Sequence, residues 1–277
     1  QGPEAPPRPP APCPTPHQQH IVGRSGHMPA MKRPAAAVAE GEPPAKKKAP
    51  KLTLVYFDIE GKGEPLRLAL SYAGLDFEDM RISFERFAEM KASGELSFGQ
   101  VPALKVDEGT GAGPATLVQT AAIARYVGHL AGPACGLYPE HPVLAARVDA
   151  AMDQVADMMC PILCAKYQER FGFDEALGGM QGEGTQKVES ALKSKIMPRH
   201  FGYFEAMLGA SETGWIAGTE KPSVADFVVG IQLEQLSHNA MVDGKALVAK
   251  HPKVAAYIAK LLDLPAVKAW RSKTRKE

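Results

Sequence analysis

The 277-residue chain lacks most of what would mark a membrane, secreted or nucleic-acid-coating protein. No apolar run reaches the roughly 18–20 residues needed to cross a bilayer. Its four cysteines, Cys13, Cys135, Cys160 and Cys164, are too few for a disulfide scaffold at this length. The first residues hold no apolar core of about 7–15 residues of the secretory kind, so the cysteines are expected as reduced thiols in a cytosolic or nuclear protein. Its eight histidines show no metal-ligand spacing, and the net charge is only +1.

That small net charge conceals a split. Residues 1–50 hold 13 of the 24 prolines, no Leu, Phe, Tyr or Trp, and seven Lys and Arg against three Asp and Glu. Residues 51–277 carry 25 basic against 28 acidic side chains. The first segment has too little apolar surface to offset its ordering entropy, so a disordered basic tail is expected. Lys32-Arg33 and, twelve residues on, Lys46-Lys47-Lys48 have the two-cluster spacing of a nuclear-import signal. Such spacing also occurs in a plain solvated linker. Gln1 suggests a fragment or processed form, with Met28 and Met31 as alternative starts. The slightly acidic body argues against nucleic acid as a partner.

Residues 51–57 (KLTLVYF) read as a strand, followed by a turn over 58–63 and a helix opened by Glu64-Pro65 and stopped by Gly74. A strand over 77–82, a short helix over 84–91 and a hairpin of 103–106 with 116–118 follow, then a helix over 120–130. From 143 onward the pattern is helical. Val148, Met152, Val155, Met159 and Ile162 step by four and three along one face, and Pro161 is expected to kink that helix. Further helices are expected over 186–208, 223–236 and 251–262 and from 265 on, with 172–184 a Gly-rich break. These elements give a disordered tail over 1–50, an α/β domain over 51–132 and an all-helical domain over 141–277.

Several segments together resemble a known family. Tyr56-Phe57-x-x-x-Gly61-x-x-Glu64-Pro65-x-Arg67 is similar to the opening of a cytosolic glutathione transferase. Phe98-Gly99-Gln100-Val101-Pro102, Gln119-Thr120-x-x-Ile123, Ser223-Val224-Ala225-Asp226-Phe227 and Leu264-Pro265-Ala266-Val267 follow in the family's order. The nearest subgroup is the tyrosine-type sigma class, which includes glutathione-dependent prostaglandin D synthases. The resemblance implies a thioredoxin-like N-terminal domain, a C-terminal helical bundle, a cytoplasmic homodimer, glutathione as co-substrate, small hydrophobic electrophiles as second substrates, and no metal.

Glutathione chemistry needs a thiolate, whereas a free thiol near pKa 8.5 is only about 3% ionised at pH 7. Lowering that pKa by about two units costs roughly 2.7 kcal/mol, the order of one or two charge-assisted hydrogen bonds. The resemblance makes Tyr56 the donor to sulfur, although a strand tyrosine taken alone is more often core. It makes Lys62 an assisting cation, unless that lysine is simply solvated. For glutathione it implies Phe87 and Lys91 near the glycyl end, Gln100 and a cis Val101-Pro102 turn along the cysteinyl unit, and Gln119 and Thr120 on the γ-glutamyl carboxylate. Thr120 is also expected to cap its helix. Asp157 would reach a glutathione amine held by a second subunit. Spaced by four with Asp149 and Asp153, it belongs to a stripe that faces either water or a partner, with a cation site the weaker reading.

Ile59, Met158, Met159, Ile162 and Cys164 are the expected walls of the second-substrate pocket, or else helix core. Cys164 stands where the prostaglandin enzyme carries a large aromatic. Cys160 and Cys164 lack the C-x-x-C spacing of a redox pair. Two other readings stay open: a glutathione-dependent isomerase or peroxidase on the same site, and a non-enzymatic protein of this fold. An import receptor would be a partner of the tail.

Overall fold

The structure, a computed structural model, describes residues 49–274. The two basic clusters and nearly all of the expected tail lie outside the described residues. Four strands form one sheet in the order β2-β1-β3-β4. Strand β1 (Lys51–Phe57) runs parallel to β2 (Phe77–Ile82) and antiparallel to β3 (Ala103–Asp107), which pairs antiparallel with β4 (Ala115–Val118). Strand β1 is central, and its residues 52–56 are buried on both faces. Helix α1 (Glu64–Tyr72) crosses between β1 and β2, helix α2 (Phe84–Ala92) between β2 and β3, and α3 (Thr120–Leu130) follows β4. This is the thioredoxin-like fold that the resemblance implies.

Local chemistry sets the joints. Pro65 lies in the first turn of α1, where its missing N–H costs nothing. At the other end Gly74 takes φ +65°, and the N–H groups of Gly74 and Leu75 are donated to the carbonyls of Ser71 and Leu70. That bonding satisfies carbonyls the helix would otherwise leave open. The Ser83 hydroxyl caps α2 by accepting the Arg86 N–H at 3.2 Å.

The remaining helices form the second half: α4 (Pro142–Lys166), α5 (Gln168–Phe171), α6 (Asp174–Leu177), α7 (Glu183–Ala191), α8 (Met197–Gly209), α9 (Val224–Ser237), α10 (Gly244–Lys250), α11 (Pro252–Leu262) and α12 (Pro265–Thr274). A π-helical turn over Leu192–Ile196 joins α7 to α8, where one helix over 186–208 is expected. The expected break over 172–184 contains α6 and the start of α7, with Gly172 and Gly178 in the left-handed region ending the single turns of α5 and α6. Helix α10 is too short for a periodicity to show. Helix α4 continues through Pro161.

Helix α9 is buried almost all round and contacts α1, α3, α4 and α11. Its N-terminus is a capping box. The Ser223 N–H and hydroxyl are donated to Asp226 at 2.7 and 2.9 Å, and the other Asp226 oxygen accepts the Ile216 N–H and the Tyr257 hydroxyl. The core runs continuously from Leu52 and Leu54 of the sheet through α1 and α9 to Val254 and Val267. The sheet and the helical half therefore share one buried core. Among the described residues no helix is long and apolar enough to cross a membrane.

Candidate active site

The turn between β1 and α1 is built around Tyr56, which is only 7% exposed. Its hydroxyl accepts the backbone N–H of Lys62 at 2.9 Å, and among the described residues its own proton meets no acceptor. Two glycines make this geometry possible. A Cβ on Gly61, which has φ +40°, would stand 2.6 Å from the Tyr56 hydroxyl, and one on Gly63 would stand 2.4 Å from the ring. The tyrosine lies against bare backbone, and any side chain at either position would push it away.

Arg67, fully buried on α1, ties the turn down. Its guanidinium donates to the carbonyls of Ile59 at 2.7 Å and Phe57 at 3.0 Å and to Asp79 of β2 at 2.9 Å, with Glu64 3.5 Å away. Its carbon lies 5.7 Å from the centre of the Tyr56 ring. From the helical half, Gln235 of α9 donates to the Gly61 carbonyl at 3.0 Å.

Burial, more than any neighbour, pushes the Tyr56 hydroxyl above its ordinary pKa, reinforced by the Tyr167 phenol and opposed by the Lys62 N–H and Arg67. The phenol therefore stays protonated near neutrality. Lys62 is pushed the other way, below its ordinary pKa, first by burial and then by the charge of Arg170.

A cavity of about 330 Å³ opens beside this turn. On the sheet side it is bordered by Lys62, Gln100, Val101, Pro102, Gln119 and Thr120. The Val101–Pro102 peptide is cis, and neither the N–H nor the C=O of Val101 joins a turn, loop or cap hydrogen bond among the described residues. Gln119 takes φ +73°, unusual for a side chain with a Cβ, and occupies the cap position of α3. The expectation that Thr120 is the cap is thus corrected by one residue: Thr120 opens the helix, and its hydroxyl reaches toward the Lys62 carbonyl at 3.5 Å. The N-terminus of α3, with its free N–H groups, points the positive end of a dipole at the cavity.

On the helical side the wall is apolar, made by Met152, Val155, Met159 and Leu163 of α4, with Phe171 and Val228. Of the expected pocket residues only Met159 borders the cavity. Met158 and Ile162 face the core, Ile59 is 55% exposed, and Cys164 is half-buried beyond Cys160. Two overlapping stripes share α4: residues 151, 158 and 162 face the core, while 152, 155, 156, 159 and 163 border the cavity, with Met152 and Val155 packed into the core as well. Steps of three, four and four from Met152 through Val155 and Met159 to Leu163 trace the cavity wall in the sequence. Nothing local marks Phe171, Val228 or Gln232, which long-range packing brings in.

Tyr56 sits just behind Lys62 rather than on the cavity wall itself. Phe87 packs edge-on to Phe57 at 5.3 Å in a small apolar cluster. The Lys91 stem lies alongside Gly99, next to Gln100. Asp157 is exposed on α4, whereas Asp149 and Asp153 pair with Arg125 of α3 at 2.6 and 3.3 Å. No cluster of three or more metal-ligating side chains occurs among the described residues. A larger cavity of about 700 Å³, bordered by Leu52, Leu75, Glu108 and Tyr126, is lined by none of the residues expected at the site.

Comparison with known proteins bears on the fold and the family. The model of the glutathione S-transferase N-terminal domain matches residues 52–129, and that of the C-terminal domain matches residues 175–274. Glutathione S-transferase 1 of Ascaris suum is 30% identical over 221 residues, covering 80% of this chain and 95% of the relative. The hematopoietic prostaglandin D synthase of Gallus gallus is 28% identical, covering 82% and 98%. Among solved structures, prostaglandin synthase D of Nilaparvata lugens superposes with a TM-score of 0.66 at 27% identity, covering 82% of this chain and all of that one. The chain belongs to the glutathione S-transferase family.

Proposed function

We propose that the protein conjugates the glutathione thiolate to apolar electrophiles, with Tyr56 as the donor that holds the sulfur anionic. The observation that carries this reading is the Tyr56 hydroxyl, which takes the Lys62 N–H at 2.9 Å and keeps its own proton to give. A phenol held protonated by burial donates to a thiolate without competing for its charge. Lys62 adds a cation at the same edge.

In this reading glutathione lies along the sheet side. The open N–H and C=O of Val101 pair with the cysteinyl unit as an added strand would. Gln119, Thr120 and the α3 N-terminus take the γ-glutamyl carboxylate, and Lys91 takes the glycyl end. Gln100 lies between them, and Phe87 acts from behind by supporting Val101. Asp157 belongs to a homodimer, reaching the tripeptide of a second subunit. A cytoplasmic location is part of the same proposal. The apolar wall of α4 and Phe171 receives the electrophile, and holding both reactants there supplies proximity.

The test is conjugation of a chlorinated dinitrobenzene by wild type and Tyr56→Phe. A loss of more than about tenfold in kcat/KM supports the assignment, and a much smaller loss removes Tyr56 from its role. The likeness to prostaglandin D synthases keeps an isomerase reading in view, and turnover of an endoperoxide with glutathione regenerated would favour it. Cys164 does not supply the aromatic wall of that enzyme.

A further inference from the structure

We propose that the electrophile this protein prefers carries an anionic head, such as a carboxylate, on an apolar body, and that Arg170 is the residue that selects it. The inference rests on the reading of the site as a glutathione transferase and names the class of its second substrate.

The cavity is strongly lopsided. Its helical wall is aliphatic and aromatic, and Lys62 is the one charged side chain among the described residues that border it. No carboxylate among the described residues forms an ion pair with that ammonium. At the corner where α4 gives way to α5, a second cation stands beside the same opening. The Arg170 guanidinium lies 5.4 Å from the centre of the Phe171 ring, and Phe171 borders the cavity. Lys166 repeats the arrangement one turn earlier, 5.4 Å from the Tyr167 ring. Stacking fixes each cation on an aromatic face and leaves its donors turned outward.

Arg170 is close enough for its charge to make protonation of Lys62 harder. Two like charges beside an apolar wall repel until an anion comes between them. The carboxylates of glutathione have other partners in the proposed pose, Lys91 and the α3 N-terminus, both reached from the sheet side. The α4–α5 corner lies on the electrophile's side, so an anionic head reaching Arg170 leaves the apolar body along Met159 and Leu163. A planar guanidinium takes a carboxylate with two parallel hydrogen bonds, which an ester cannot match.

The experiment measures binding rather than turnover. Calorimetry gives the dissociation constants of 4-phenylbutanoate and its methyl ester for wild type, Arg170→Gln and Arg170→Lys, each saturated with glutathione. The acid is expected to bind wild type at least about tenfold more tightly than the ester, with the ratio shrinking as salt is raised. Arg170→Gln is expected to reduce the ratio about tenfold, and Arg170→Lys to retain much of it. Equal binding of acid and ester to wild type, or a ratio unchanged in Arg170→Gln, would overturn the proposal. So would a loss in Arg170→Gln that fell on glutathione affinity instead. Failure of wild type to conjugate any electrophile would sink the transferase reading separately, since the acid-to-ester ratio is read without chemistry.

Discussion

The backbone N–H of Lys62 is donated to the Tyr56 hydroxyl across 2.9 Å, so the tyrosine is oriented by the very turn it serves. The bond fills one acceptor site on the phenolic oxygen and directs the remaining proton away from the turn. Gly61 and Gly63 leave room for it, Arg67 anchors the carbonyls of Phe57 and Ile59 at the start of the turn, and Gln235 holds the turn from the helical half. Each of these parts can be removed singly.

Gly63→Ala places a Cβ where the Tyr56 ring now stands, at 2.4 Å from it. The ring must move, so conjugation should fall by about tenfold or more while the fold survives. In the double variant with Tyr56→Phe the two losses should not add, because both act through the same hydroxyl. Steady-state kinetics of the four proteins checks this, and fully additive losses would show that Gly63 acts elsewhere.

Arg67→Ala leaves Asp79 and two turn carbonyls without their buried donor. Removing one partner of a buried charged network costs about 3–5 kcal/mol. Urea denaturation should show a loss of that order. Arg67→Lys should recover only part of it, since an ammonium cannot span three acceptors with one fork. A loss below about 1 kcal/mol for Arg67→Ala would mean the turn is held by other contacts.

His200 of α8 is buried and takes its hydrogen bond from Gln154 at 2.7 Å, and burial, then Arg199, lowers its pKa. The unfolded chain therefore binds the proton more readily than the folded one. The stabilising contribution is complete above the unfolded value near 6.5 and is lost as pH falls through the lower folded value. Denaturation midpoints at a series of pH values from about 7.5 to 5 should fall less steeply in His200→Gln than in wild type. Parallel curves would remove His200 as the titrating group.

Much of the sheet half was legible because its signals are local. The β-branched run of β1, Pro65 opening α1, Gly74 closing it and the Gly-rich hairpin before β4 are each set within a few residues, and the capping box at Ser223 likewise. The helical half was legible where a helix exceeds about three turns, as in α4 and α9. The single turns α5 and α6 and the short α10 carry no periodicity to read. The candidate site divides on the same line. Lys62, Gln100, Val101, Pro102, Gln119 and Thr120 border one cavity, and motif residues pointed to all six. Its far wall was less legible, since Met158 and Met159 are adjacent in sequence but face core and cavity respectively. Phe171 and Val228 arrive only through packing, as does the bond from Gln235 to Gly61 across 174 positions of chain.

The central claim is tested most directly by the ionisation of the bound thiol. Ultraviolet difference titration of glutathione bound to wild type should show the sulfur ionising about two units below the free value near 8.5, with no loss of the Tyr56 proton below about pH 10. In Tyr56→Phe the same thiol should titrate close to its free value. If the wild-type complex titrates like free glutathione, or the phenylalanine variant matches wild type, the Tyr56 hydroxyl does not hold the thiolate.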